Sequence, residues 1–215
     1  MSKVTAAMIM GAGLGTRMRP LTDDRPKPLV MVGGKTLIDH AIDRLVAAGV
    51  TRIVVNLHYK AEMLRAHLAK RRDVEIIFSD ETDQLLDTGG GVVKAMPHFE
   101  DVPFFVINSD SIWVEGKNSA LPAMLAAWDE NRMDGLLLLA EMKTAMGYEG
   151  SGDFALTAGG HVARARGSSA PHYAYPGVQI AHPRLFAGAP AGAFSTNVMW
   201  DRAIVAGSLF GTIMD

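Results

Sequence analysis

Three side chains of the sequence, all within its first 110 residues, could handle a polyanion. Arg17 and Lys27 follow a glycine-rich turn, Gly11-Ala12-Gly13-Leu14-Gly15, and Asp110 closes the apolar run Pro103 to Asn108. An arginine offers a planar fork to phosphate oxygens, and a lysine offers a compact charge, here stiffened by Pro26 and Pro28 on either side. Glycines without Cβ atoms let backbone N–H groups approach an anion closely. A carboxylate at the end of an apolar strand is costly unless it meets a cation or water. Asp110 therefore reads either as the cap of a following helix or as a ligand for a metal ion.

The glycine spacing excludes two familiar phosphate sites. No Lys-Ser or Lys-Thr stands where a P-loop requires one, and the third glycine falls one residue too early for a dinucleotide fingerprint. A nicotinamide-dependent dehydrogenase is disfavoured on the same ground. A second glycine element, Leu86-Asp87-Thr88-Gly89-Gly90-Gly91, reads as a loop leading into a short helix capped by Thr88 or Asp87, or as a place where a flat base approaches the backbone. Asp153, in Gly152-Asp153-Phe154, reads as an exposed turn aspartate or as an acceptor for sugar hydroxyls.

These residues need a sheet to hold them. Ala6 to Met10 reads as a buried strand, and Thr36 caps a helix that presents Ile38, Ala41, Ile42 and Leu45 on one face and stops at Gly49. Further strands are predicted at 52–57, 74–78, 103–108 and 135–142, and helices at 60–70 and 121–130, with 79–91 as a loop. This alternation predicts an α/β fold with a mostly parallel sheet and helices on both faces. The glycine turns and Asp110 then leave the carboxyl ends of its strands, where such sheets bind ligands. From residue 144 the texture shifts to short strands (153–156, 161–165 and 175–181), a helix at 196–206 and a last strand at 209–214. The expected organisation is one domain, with a nucleotide-binding core over 1–143 and a small β-rich subregion over 144–215.

Composition narrows the functional classes. A formal charge of -2 argues against a protein that coats nucleic acid or anionic membrane. No apolar stretch reaches the roughly 20 residues of a membrane span, so a soluble cytoplasmic protein is expected. Cysteine is absent, which removes thiolate metal sites and cysteine nucleophiles, and the seven histidines show no paired ligand spacing.

The full string Gly13-Leu14-Gly15-Thr16-Arg17-Met18 through Pro20-Leu21-Thr22 to Pro26-Lys27-Pro28 resembles the signature of the sugar-1-phosphate nucleotidyltransferases. That resemblance implies a Rossmann-like fold and two substrates, a nucleoside triphosphate and a sugar 1-phosphate, with Mg²⁺ as cofactor. It implies catalytic roles for Arg17, Lys27 and Asp110, with Asp110 as metal ligand. Nucleotide contacts are implied at Ala12, Gly13, Gly15, Thr16, Arg17, Gly89, Gly90 and Asn108, with Glu81 or Gln84 reading the base. Sugar contacts are implied at Gly152, Asp153 and Gly177. The triple glycine at 89–91 and the Gly-Asp-Phe element are most similar to the branch that uridylylates N-acetylmuramate 1-phosphate in bacterial cell-wall recycling. The family's second metal-binding segment has no counterpart before Asp215, which implies either a piece of a longer protein, the favoured reading, or a natural variant with impaired metal binding. A different class, a nucleotide-sugar sensor without turnover, would keep the same pocket. Oligomeric state is not legible.

Overall fold

The computed structural model describes residues 4–215. The chain order is β1 (Ala6–Met10), β2 (Met31–Val32), β3 (Lys35–Thr36), α1 (Leu37–Ala47), β4 (Arg52–Leu57), α2 (Ala61–Leu68), β5 (Glu75–Asp80), α3 (Asp87–Ala95) and β6 (Phe104–Asn108). It continues with α4 (Ala120–Ala127), β7 (Gly135–Glu141), β8 (Phe154–Leu156), β9 (Val162–Arg164), β10 (His172–Ala174), β11 (Val178–Ala181), α5 (Asn197–Ala206) and β12 (Leu209–Ile213).

Local chemistry explains the best-defined elements. The Thr36 hydroxyl accepts the Asp39 N–H at the start of α1, and Gly49, at φ 91°, turns the chain just past its end. Ile38, Ala41, Ile42 and Leu45, spaced for one helical face, are fully buried. Each large apolar side chain so buried stabilises the fold by roughly 1.5–3 kcal/mol.

The main sheet runs in the order β5-β4-β1-β6-β11-β7-β10-β8-β9, with β12 along the other flank of β7. Strands β5, β4, β1 and β6 are mutually parallel, so their carboxyl ends at Asp80, Leu57, Met10 and Asn108 share one edge. Strand β11 is antiparallel to both neighbours and joins the β6 and β7 halves. One apolar cluster packs α1, α2 and α4 against one face; a second packs α3 and α5 against the other.

The 144–215 segment adds β11 and β12 to the main sheet, where they flank β7, while β8, β9 and β10 extend beyond it. One expectation requires correction. The strand expected over 175–181 is broken. From Ala174, opposite Ala140, to Gln179, opposite Leu137, the chain advances five residues while β7 advances three, leaving two extra residues at Tyr175-Pro176-Gly177. This bulge interrupts the ladder where the strand meets the site edge.

Candidate active site

The first glycine turn is fastened from below. The Gly11 N–H donates to Asn56 Oδ1 at 2.7 Å, and a Cβ on Gly11 would lie only 2.8 Å from the Asn56 carbonyl oxygen. Gly15 takes φ 67°, a left-handed conformation that suits glycine, and its carbonyl accepts the Thr22 hydroxyl at 2.8 Å. These bonds direct the turn over the Lys27 side chain, so that a Cβ on Gly13 would sit 3.9 Å from Lys27 Cε. Pro26 and Pro28 are both buried, which anchors the lysine between them.

Lys27 Nζ reaches Asp110 Oδ2 at 2.8 Å and thereby joins the glycine turn to the end of β6. Ala12, Gly13, Arg17, Lys27, Asn108 and Asp110 line one cavity of about 340 Å³ at the carboxyl edge of the parallel strands. Arg17 stands exposed at its rim. The structure excludes one of the two readings of Asp110. No helix begins there, since the chain stays irregular until Ser119 precedes α4, so the carboxylate is not a cap. It lies one-third exposed at the cavity mouth, the setting in which a hard cation retains waters and takes phosphate oxygens as further ligands. Among the described residues no group of three or more His, Cys, Asp or Glu side chains could hold a metal on its own.

Several expected contacts occupy other places. Glu81 borders the cavity but is fully buried, and both carboxylate oxygens are engaged: Oε1 accepts Asn56 Nδ2 at 2.8 Å and Oε2 accepts the Leu86 N–H at 3.1 Å. It ties β4, β5 and the start of α3 together, where base contact was expected. Gln84 is exposed outside the cavity.

Gly89, Gly90 and Gly91 lie within α3, so the loop expected over 79–91 ends at Leu86. The Gly89 and Gly90 N–H groups donate to the Phe194 carbonyl, and added Cβ atoms would meet the Phe194 ring at 2.3 Å and the Gly192 carbonyl oxygen at 2.4 Å. These glycines admit the 192–194 segment; the ligand face of α3 belongs to Asp87 and Thr88 instead. Neither caps the helix, whose N-cap is Leu86 without a side-chain bond. Asp87 is held at φ 59°, an unfavourable conformation for a residue with a Cβ, and Thr88 Oγ1 accepts the Thr196 N–H. Gly15 shapes the turn without lining the cavity, and Thr16 is exposed outside it.

The expected sugar contacts are also structural. Gly177, at φ 79°, leaves room for Asn108, whose Nδ2 would be 2.4 Å from an added Cβ. Its carbonyl accepts the Asn108 N–H at 2.8 Å. Asp153 Oδ2 accepts the Tyr175 N–H at 2.8 Å, satisfying a donor that the bulge removed from the ladder. Burial of the Tyr175 hydroxyl, helped by the nearby Asp153 charge, pushes that phenol far above its ordinary range. Gly152, at φ 103°, packs against His172. Neither Gly152 nor Asp153 lines the cavity that holds Lys27 and Asp110.

A second cavity of about 170 Å³ adjoins the first and shares Met10, Asp87, Thr88 and Asn108 with it. Its remaining wall includes Tyr175, from the segment around Gly177 where the resemblance implied sugar contacts, together with Gln179, Thr196 and Trp200, which the sequence had not singled out. One signal was available: Gln179 is the lone polar residue in Val178-Gln179-Ile180-Ala181, and a buried amide in a strand requires a partner.

A glycine-shaped turn, a clamped lysine and a strand-end aspartate around one cavity define a phosphate-handling α/β protein. Residues 6–148 match the nucleotidyl transferase family, and the chain belongs to it. It is 48% identical over 210 residues to the N-acetylmuramate alpha-1-phosphate uridylyltransferase of Caulobacter vibrioides, covering 95% of this chain and 86% of that protein. It is 34% identical over 189 residues to the protein of the same name from Neisseria meningitidis, covering 87% of this chain and 79% of the other. A solved structure of a putative glucose-1-phosphate thymidylyltransferase from Bacillus anthracis shares the fold, with a TM-score of 0.79 at 16% identity over 98% of this chain and 87% of that one.

Proposed function

We propose that this chain transfers a uridylyl group from UTP to N-acetylmuramate 1-phosphate, releasing pyrophosphate. The observation that carries the reading is the convergence of Arg17, Lys27, Asn108 and Asp110 on one cavity, in a chain of this family. The choice of base and sugar follows the two relatives named above.

An oxygen of the sugar's phosphate attacks the α-phosphorus, a new P–O bond forms, and the bond to the bridging oxygen of the β-phosphate breaks as pyrophosphate leaves. No group on the protein needs to become covalently attached. The protein's work is to align two polyanions and offset their repulsion. Lys27, held in the cavity by its prolines and Asp110, faces the phosphates about to react. Arg17 at the rim takes the departing pyrophosphate. Asp110 would hold Mg²⁺, which when bound supplies positive charge for the phosphate oxygens. A reaction that draws on UTP suits a cytoplasmic setting.

Pyrophosphate release, measured with each of the common triphosphates against N-acetylmuramate, mannose and glucose 1-phosphates, tests the reading. UTP with N-acetylmuramate 1-phosphate is expected to give the highest kcat/KM, and the rate is expected to vanish on chelation of Mg²⁺. Nucleotide binding without turnover of any pair would overturn it in favour of a sensor.

A further inference from the structure

We infer that Gln179 is the residue that reads the N-acetyl group of the acceptor sugar, with Trp200 fixing its orientation; this rests on the function proposed above. Gln179 is 2% exposed, sits in the centre of β11 and lines the second cavity. Trp200 Nε1 is 2.9 Å from its side-chain oxygen. An indole N–H can only donate, so the atom it meets must be the amide oxygen, and the NH₂ end must point elsewhere. That NH₂ has no hydrogen-bond partner among the described residues, and the cavity is the open space beside it.

The NH₂ opens onto the cavity and meets no acceptor on the protein, so a ligand oxygen placed there gains a hydrogen bond that no protein group competes for. The cavity adjoins the phosphate site through Asn108 and Thr88, so a sugar whose phosphate lies beside Lys27 extends into it. Its chemistry selects a neutral acceptor. Trp200, Tyr175 and Val106 give it apolar walls, no Lys or Arg side chain lines it, and its one charged neighbour is Asp87. An acetamido group fits, with its carbonyl oxygen on the Gln179 NH₂ and its methyl against the rings. A carboxylate in the same place would face Asp87 with no cation to offset it.

The test compares N-acetylmuramate 1-phosphate with its analogue carrying a hydroxyl in place of the acetamido group, using wild type, Gln179→Met and Gln179→Glu. The methionine variant removes the amide without adding charge, whereas the glutamate variant keeps an acceptor for Trp200, loses the donor and adds a carboxylate facing Asp87. Both variants are expected to lose about 10- to 100-fold in kcat/KM for the acetylated sugar, expressed mainly in KM. The KM for UTP and the rate with the hydroxyl analogue are expected to hold, so the preference for the acetyl group collapses. An unchanged preference, or an equal fall for both sugars, overturns the assignment while leaving the proposed function standing. Failure of wild type to turn over either sugar overturns both.

Discussion

At the scale of single residues, Lys27 and Asp110 hold the two sides of the site together. Their 2.8 Å contact links a loop after β1 to the end of β6, elements separated by most of the nucleotide-facing half of the chain. Removing a preorganised anion-stabilising donor costs about 10²- to 10³-fold in rate, so Lys27→Ala is expected to lower kcat by that amount in a pyrophosphate-release assay. Wild-type turnover in that variant would remove the residue from the mechanism. Arg17, Lys27, Asn108 and Asp110 were legible because their residue types and spacing already stated their chemistry. The structural engagements of Glu81 and Asp153 were not legible, for a common reason. A carboxylate in a sequence does not reveal that backbone and amide donors elsewhere have claimed its oxygens, as Asn56, Leu86 and Tyr175 do here.

At the scale of elements, the strands that carry unbroken apolar runs and the helix with a visible cap emerged close to their expected limits. Helix α3 did not, because three consecutive glycines favour a loop by intrinsic propensity. What makes them helical is tertiary: Phe194 and Gly192 press where Cβ atoms would otherwise be. Gly90→Ala, which forces a Cβ toward the Gly192 carbonyl oxygen, is therefore expected to destabilise the protein by about 1–3 kcal/mol in denaturant titration, despite alanine's higher helix propensity. The short turn after β11 supplies a pH-dependent element. His182 is buried and its Nδ1 accepts the Arg184 N–H, while burial, followed by the neighbouring Arg184 charge, lowers its pKa from the ordinary 6.5. The unfolded chain therefore binds a proton that the folded chain resists, so this contribution is present above about pH 6.5 and is lost as the pH falls through the lowered value. The melting temperature of wild type is expected to drop across that window, and His182→Asn should flatten the drop.

At the scale of the molecule, a single sheet runs beneath both cavities, and its most buried members are the parallel strands. Ala7, Met8 and Ile9 of β1, with Ile53, Val54 and Val55 of β4, are all at 0% exposure. Amide hydrogen exchange is accordingly expected to be slowest in β1, β4 and β6, reaching the global unfolding limit there, and fastest in the β8–β9 hairpin at the sheet's edge. Equal protection in both regions would contradict this order. The two surplus residues at 175–177 fall between these regimes, with Asp153 bracing the free amide they create. Strand slippage is thus confined to one short detour. A relative that gains or loses a residue in the hairpins beyond it can absorb the change there, altering which acceptor is admitted while the triphosphate grip upstream stays in register.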